Sequence, residues 1–185
     1  MQLRQHLALM AMFDDDWGST EAVRSLVAPF RRAVGNTLRV KTAWTLRPAR
    51  PADAGRLADL KARAMRPDLE RLGLWDEEWA RRRFLDTYVP ANTDVIEVAG
   101  EPVGVIAVRP EMDALWIEHF YLEPAVQGRG LGGQVLRQVM DAHRDERPFR
   151  LAIDRGSAAR RLYERVGFVH LWDDDNGVDQ IFGTP

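Results

Sequence analysis

The 185-residue sequence predicts an α/β fold, a mixed sheet with helices on its faces. Three observations carry this. Short apolar or alternating segments bounded by Gly and Pro recur from residue 43 onward. Longer stretches between them place apolar residues at three- and four-residue steps. Taken in order, the segments read β-α-α-β-β-β-α-β-α-β-β.

Trp44-Thr45-Leu46-Arg47 alternates apolar and polar, as a half-buried strand does. Pro51-Ala52-Asp53 opens a helix through Leu57, Leu60, Ala64 and Met65. A second helical stretch covers Asp76–Tyr88, with Trp79, Phe84 and Leu85 as candidate core residues. Val95–Val98 and Val103–Val108 form a hairpin about the turn Gly100-Glu101-Pro102. Leu115–Leu122 is a strand ended by Glu123-Pro124. A helix follows from about Gly130 to His143, with Leu131, Val135, Leu136, Val139 and Met140 on one face. Phe149–Ile153 is a strand, and Ser157–Val166 a helix stopped by Gly167. Phe168–Trp172 and Val178–Phe182 close the sheet.

A chain of this length buries about two-thirds of its unfolded surface, so it needs no metal or disulfide staple. It has no Cys, which excludes disulfides, a thiol nucleophile and thiolate-built metal sites. That absence agrees with a cytoplasmic setting. The net charge of −2 gives no general footprint for nucleic acid. No apolar run approaches the roughly 18 residues of a membrane span. The apolar run Leu7–Phe13 is short and is stopped by Asp14, Asp15 and Asp16, so it is not expected to be an export signal.

Residues 1–43 read as an N-terminal extension, weakly ordered or with a short helix from Ser19, and residues 44–185 as the folded domain. The extension carries six Lys/Arg against four acids, hence +2, leaving −4 for the remainder. A docking arm for a partner is the alternative reading of this segment.

Tyr121-Leu-Glu-Pro-Ala-Val-Gln-Gly-Arg-Gly-Leu-Gly-Gly133 takes a strand through a loop into a helix. Gly128, Gly130, Gly132 and Gly133 carry no Cβ, so an anion can approach the main-chain amides. Unpaired N–H groups and the helix dipole favour negative charge there, and Arg129 can add a charged contact. A phosphate or pyrophosphate cradle is the functional reading. Gly128 and Gly133 have Walker A spacing, but Gln134 and Val135 replace the Lys and hydroxyl that this motif needs. Gly128, Gly130 and Gly133 match a dinucleotide fingerprint, with Asp154 near the expected acid. Five residues, Glu123 to Gln127, nevertheless separate the strand from its first Gly, and too little chain follows for a run of parallel strands.

Gln127-Gly128-Arg129-Gly130-Leu131-Gly132 resembles the Gln/Arg-x-x-Gly-x-Gly/Ala signature of the GNAT superfamily of N-acetyltransferases. Leu162-Tyr163-Glu164-Arg165-Val166-Gly167-Phe168 resembles a second family segment, and Trp44–Asp53 looks like its first strand and helix. The resemblance covers residues 44 to about 182. It implies a mostly antiparallel central sheet flanked by helices, and an enzyme that uses acetyl-CoA as co-substrate without a metal. Backbone groups of Phe120, Tyr121 and Leu122 would bind the pantetheine arm. Gln127, Gly128, Arg129, Gly130, Leu131, Gly132 and Gly133 would hold the pyrophosphate. Tyr163 matches the position whose hydroxyl protonates or hydrogen-bonds the departing thiolate. The family often has Asn seven residues before that Tyr; Gly156 stands there, and the neighbouring Ser157 can cap the helix and take over the contact. Dimerisation is common in the family. The acceptor would be a small-molecule or peptide amine, with no nucleic-acid or membrane partner.

The chemistry sets its own demands. An alkyl ammonium with a pKa near about 10.4 is only about 0.04% neutral at pH 7, so a base helps. Glu118 and His119 are adjacent on Trp116–Leu122 and point to opposite faces of a regular strand. Several GNAT enzymes place the acid or His four residues before the strand's end, which selects Glu118 as base, with Tyr163 as thiolate acid. A strand bulge could reverse that choice; a structural ion pair with Arg is the alternative for Glu118. Asp173-Asp174-Asp175 and Asp179 could attract a cationic amine, or form a solvated turn. Arg66–Trp75 lies where GNAT folds often cover the acceptor. A non-catalytic acyl-CoA-binding or sensing module is the alternative to an enzyme.

Overall fold

The computed structural model describes residues 43–175 and 177–185. The expectations for residues 1–42, the extension and its helix, lie outside the described residues.

The strands are β1 (Trp44–Pro48), β2 (Thr93–Val98), β3 (Glu101–Pro110), β4 (Leu115–Leu122), β5 (Phe149–Asp154), β6 (Val169–Asp173) and β7 (Asp179–Gly183). The helices are α1 (Ala54–Arg71), α2 (Glu77–Leu85), α3 (Leu131–His143) and α4 (Arg160–Val166). The strands form one sheet in the order β1-β2-β3-β4-β5-β7-β6. Every neighbouring pair is antiparallel except β4 and β5. The mixed, mostly antiparallel sheet expected from the sequence is therefore present.

Strand alternation divides the core between two faces. Ile96, Ile106, Ile117, Phe120 and Leu122 pack with Leu131, Val135, Leu136 and Val139 of α3 and Leu162 and Tyr163 of α4. Val95, Val105 and Tyr121 pack on the other face with Leu57, Leu60, Met65 and Leu69 of α1 and Phe84 of α2. Burying these side chains contributes roughly 1.5–3 kcal/mol each, an upper estimate for a compact unfolded chain.

Several boundaries differ from the sequence reading. α1 runs on to Arg71, with Pro67 inside it. Leu69, only 1% exposed, is buried by that added turn, which offsets the hydrogen bond that Pro67 cannot donate. Arg66–Arg71 is thus helix, and Gly73, at φ +69, lies just beyond its end. α2 starts at Glu77 because the Asp76 side chain accepts from the Trp79 amide at 2.9 Å. α4 starts at Arg160 rather than Ser157.

Lys61 of α1 is 4% exposed, and its ammonium lies 5.8 Å from the centre of the Tyr121 ring. Burial, and secondarily the charge of Arg83, lower its pKa to about 7. The charged form is penalised on folding, so the cost is present in full below about pH 7 and fades as pH rises toward the unfolded value of about 10.5. Lys61→Met is expected to stabilise the chain by about 1–3 kcal/mol at pH 7. Urea melts at pH 7 and at about pH 10 check this: the gain must shrink at the higher pH.

Candidate functional site

β4 holds the key local irregularity. Val105 pairs with Tyr121 but Ala107 pairs with Glu118, so Ile106 stands opposite both His119 and Phe120. His119 takes φ +50, the left-handed conformation of the extra residue in a bulge. The expectation that Glu118 and His119 point to opposite faces is therefore corrected. Ile117 and Phe120 both enter the core on the α3 side, and both residues between them turn to the α1–α2 side. There the Glu118 carboxylate accepts from Arg109 Nε at 2.7 Å. His119 Nε2 lies 3.2 Å from Thr87 Oγ1, and its ring meets Phe84 edge-on at 4.8 Å. Arg109 also pairs with Glu111, so it brings its positive charge to Glu118 in a shared network. The two carboxylates offset that charge.

β4 and β5 share only the register pairs Leu115↔Phe149 and Trp116↔Arg150. Beyond Trp116 the parallel strands part, and a wedge opens in the middle of the sheet. Phe120, Tyr121 and Leu122 lie on the far stretch of β4, where a ligand can meet their backbone.

At the end of β4 the chain makes a one-turn helix, Pro124–Val126, and enters the glycine loop. The Gln127 side chain donates to the Leu122 carbonyl at 2.8 Å, tying the loop back to the strand. Gly128 and Gly130 have φ of +71 and +82, which L-residues rarely adopt. Gly130 is the N-cap of α3 and has no side-chain cap. The first backbone bond of the helix runs from Gln134 N–H to the Gly130 carbonyl, 3.3 Å. The amides of Leu131, Gly132 and Gly133 precede that bond, where helix geometry leaves them without an intrahelical acceptor. Gly128, Arg129 and Gly130 are exposed. The result is an exposed helix start with unpaired amides, a geometry that suits an anion.

Tyr163 comes from α4 on the α3 side and is fully buried, its ring edge-on to Phe168 at 5.8 Å. Its hydroxyl has no hydrogen-bond partner among the described residues. Burial raises its pKa, keeping the phenol protonated. Tyr163 also acts electrostatically on Tyr121, which belongs to the opposite face of the sheet. Ser157 is buried, and its hydroxyl accepts from the Ala159 amide at 3.2 Å, capping the turn that precedes α4.

The acidic cluster splits. Asp173 is an exposed tie: it accepts from Gln180 and Arg155 and lies beside His170, contacts that hold its pKa down at about 2. Asp179 is 6% exposed and stands directly across from Asp154, which is 0% exposed. Sequence reasoning did not anticipate that Asp154 is buried beside a second acid. Burial, and then the neighbouring Asp179 carboxylate, push its pKa up to about 8. An acid on the same strand face as Ala152, in a strand whose other residues are apolar except Arg150, was the available signal.

The model of the acetyltransferase (GNAT) domain family matches residues 88–170, which contain β4, the glycine loop, α3, β5 and α4. Solved structures share the fold. The PaiA N-acetyltransferase of Thermoplasma acidophilum, in complex with coenzyme A, superposes with a TM-score of 0.64 at 15% identity, over 77% of this chain and 98% of that one. An N-acetyltransferase of Staphylococcus aureus Mu50 gives 0.61 at 18%, over 76% and 100%. The ribosomal-protein-S18-alanine N-acetyltransferase of Escherichia coli gives 0.56 at 19%, over 77% and 94%. No curated protein matches the sequence. The split sheet, glycine turn and helix terminus belong to a fold that this chain shares with those solved acetyltransferases, and residues 88–170, just under half of the chain, are similar to the GNAT domain.

Proposed function

We propose that this chain moves the acetyl group of acetyl-CoA to a primary amine by direct attack, within a domain spanning residues 44–185. The observation that carries the reading is the fully buried Tyr163 hydroxyl, which has no hydrogen-bond partner among the described residues. A buried hydroxyl without a partner costs about 1–3 kcal/mol. A ligand atom that accepts its hydrogen bond recovers that cost, and the leaving sulfur of the thioester is such an atom.

The loop and helix start supply the rest of the cofactor site. The amides of Gly128, Arg129, Gly130, Leu131, Gly132 and Gly133 receive the pyrophosphate, with the Arg129 guanidinium at the rim. Gln127 holds the loop to Leu122. The backbone of Phe120, Tyr121 and Leu122 lines the pantetheine arm in the wedge, and Ser157 shapes its far wall. The coenzyme A bound by the Thermoplasma acidophilum protein supports this cofactor class.

The amine approaches from the α1–α2 side, where the bulge has turned Glu118. Its nitrogen attacks the thioester carbonyl, Glu118 takes the proton directly or through water, and the thiolate leaves beside the Tyr163 hydroxyl. Arg109 Nε holds the Glu118 carboxylate at 2.7 Å, which suits relay through a water and an amine already positioned for attack. Among the described residues no helix is long and apolar enough to cross a membrane, and a cytoplasmic small-molecule or peptide amine is the acceptor we infer.

Thiol release from acetyl-CoA with a panel of amines tests the activity; tight coenzyme binding without turnover on any amine would favour a sensing module. Glu118→Gln is expected to lower kcat by about 100-fold near pH 7 with little change in the KM for acetyl-CoA. The deficit must narrow toward pH 10, where a far larger share of the amine is already neutral. A deficit constant with pH, together with a lower Tm, would make Glu118 only a partner of Arg109.

A further inference from the structure

The α1–α2 side of the sheet holds a buried charge that nothing in the chain neutralises. Lys61 of α1 is 4% exposed, and its only close polar contact among the described residues is the Tyr121 ring, 5.8 Å from its ammonium. The nearest charge acting on it is another cation, Arg83 of α2. Arg83 is half-buried and lies with its guanidinium 4.8 Å from the centre of the Trp79 ring, with no carboxylate partner among the described residues. The acids of this side are already held by other arginines: Asp59 by Arg81, Asp68 by Arg71 and Glu118 by Arg109. Two like charges brought together away from water are costly unless an anion lies between them.

Both cations stand over Tyr121, since Arg83 acts electrostatically on its phenol as well. Tyr121 and Glu118 belong to the same side of β4, roughly 7–10 Å apart along the strand. A small molecule with an amine at one end and an anion at the other can bridge that gap with one hydrogen bond at each end.

We propose that Lys61 and Arg83 form a carboxylate-binding pair on the acceptor side, so that the acceptor is an amino acid rather than a plain amine. The proposal rests on the acetyl-transfer reading above and names its substrate class. The carboxylate lies between the two cations, in charge-assisted hydrogen bonds, and fixes the molecule with its amine toward Glu118 and the thioester. The cost of burying Lys61 in the free protein is then offset when the acceptor binds.

The groups facing Lys61 are Arg83 from α2 and Tyr121 from β4; Glu118 and Asp154 act on Tyr121 rather than on Lys61. Burial keeps the Tyr121 phenol neutral, and a guanidinium stays charged, so Lys61 sets the pH dependence. Its pKa in the free protein is about 7, and a carboxylate beside it raises that value. The carboxylate's share of the affinity is therefore full below about pH 7 and falls as pH rises above it, with uptake of a proton.

Thiol release from acetyl-CoA by the full chain, with the standard L-amino acids each paired with its own carboxamide, tests this. The amide has the lower amine pKa and the larger neutral share, so the chemistry alone favours it. The acid of the accepted pair is nevertheless expected to have a kcat/KM at least about tenfold higher. Lys61→Met, which the fold tolerates, should remove that preference chiefly by raising the KM of the acid, and Arg83→Gln should weaken it. Amides used as well as acids, or a preference unchanged in Lys61→Met, would overturn the proposal. Turnover on no amine at all would refute the acetyl-transfer reading instead. Calorimetry of the same pairs with coenzyme A present then judges the carboxylate site separately: acids binding no tighter than their amides, or binding of neither, overturns it.

Discussion

Gly130→Glu is expected to leave the chain folded and to abolish binding of acetyl-CoA. Gly130 caps α3 at φ +82, and a Cβ built there meets nothing within 4 Å. The side chain has room, so the structural cost is the strain of a left-handed residue, about 1–2 kcal/mol. The functional cost is larger. A carboxylate at the cap stands where the pyrophosphate would lie. Two like charges about 5 Å apart repel by about 3 kcal/mol at an effective dielectric of about 20. With a doubly charged ligand the loss exceeds about 100-fold in affinity. Gly130→Ala carries the same strain without the charge and is the control. Calorimetry should find Gly130→Ala within about tenfold of the parent and Gly130→Glu without measurable binding. Similar affinities for the two variants would place the diphosphate elsewhere.

Tyr163→Phe is expected to leave stability unchanged or slightly raised while turnover falls about 10- to 100-fold. The two effects separate because the hydroxyl has no hydrogen bond in the described structure for the substitution to remove, and the ring still packs against Phe168. Only in the transition state, as negative charge grows on sulfur, does the hydroxyl acquire an acceptor. The affinity for acetyl-CoA should change less than about twofold, because the ground-state thioester sulfur accepts weakly. Burial keeps the phenol protonated throughout the working range, so this deficit is independent of pH. The Glu118→Gln deficit, by contrast, narrows as pH rises. Measuring kcat and KM for both variants from about pH 6 to pH 10 separates the donor from the base. Turnover equal to the parent in Tyr163→Phe would make the residue structural.

The order of elements and their buried faces could be read from the sequence because each depends on local periodicity. Leu131, Val135, Leu136 and Val139 announce the buried stripe of α3 without reference to any other element. The glycine loop was legible for the same reason: its conformation is set by residues within a few positions of one another. The features that decide the acceptor side were not. The bulge places a His at positive φ with no Gly to signal it, since the alignment of β3 with β4 rather than the local sequence selects that conformation. The pairing of Glu118 with Arg109 depends on the same alignment. Asp154 and Asp179 become neighbours through antiparallel pairing across 25 positions, a contact no spacing rule reveals. The helix reached past Pro67 because the burial of Leu69 offsets the missing donor, which no local spacing shows.

The parting of β4 and β5 also governs how the molecule holds together. The ladder of backbone hydrogen bonds is continuous from β1 to β4 and again from β5 to β6, but between these halves it is nearly cut. Whatever fills that seam joins one half of the chain to the other. Cofactor occupancy and cohesion are then a single thermodynamic quantity, with each hundredfold excess of ligand over its Kd contributing about 2.7 kcal/mol to the folded state. In a cell, the supply of the donor would set both the rate of acetylation and the lifetime of the protein that performs it.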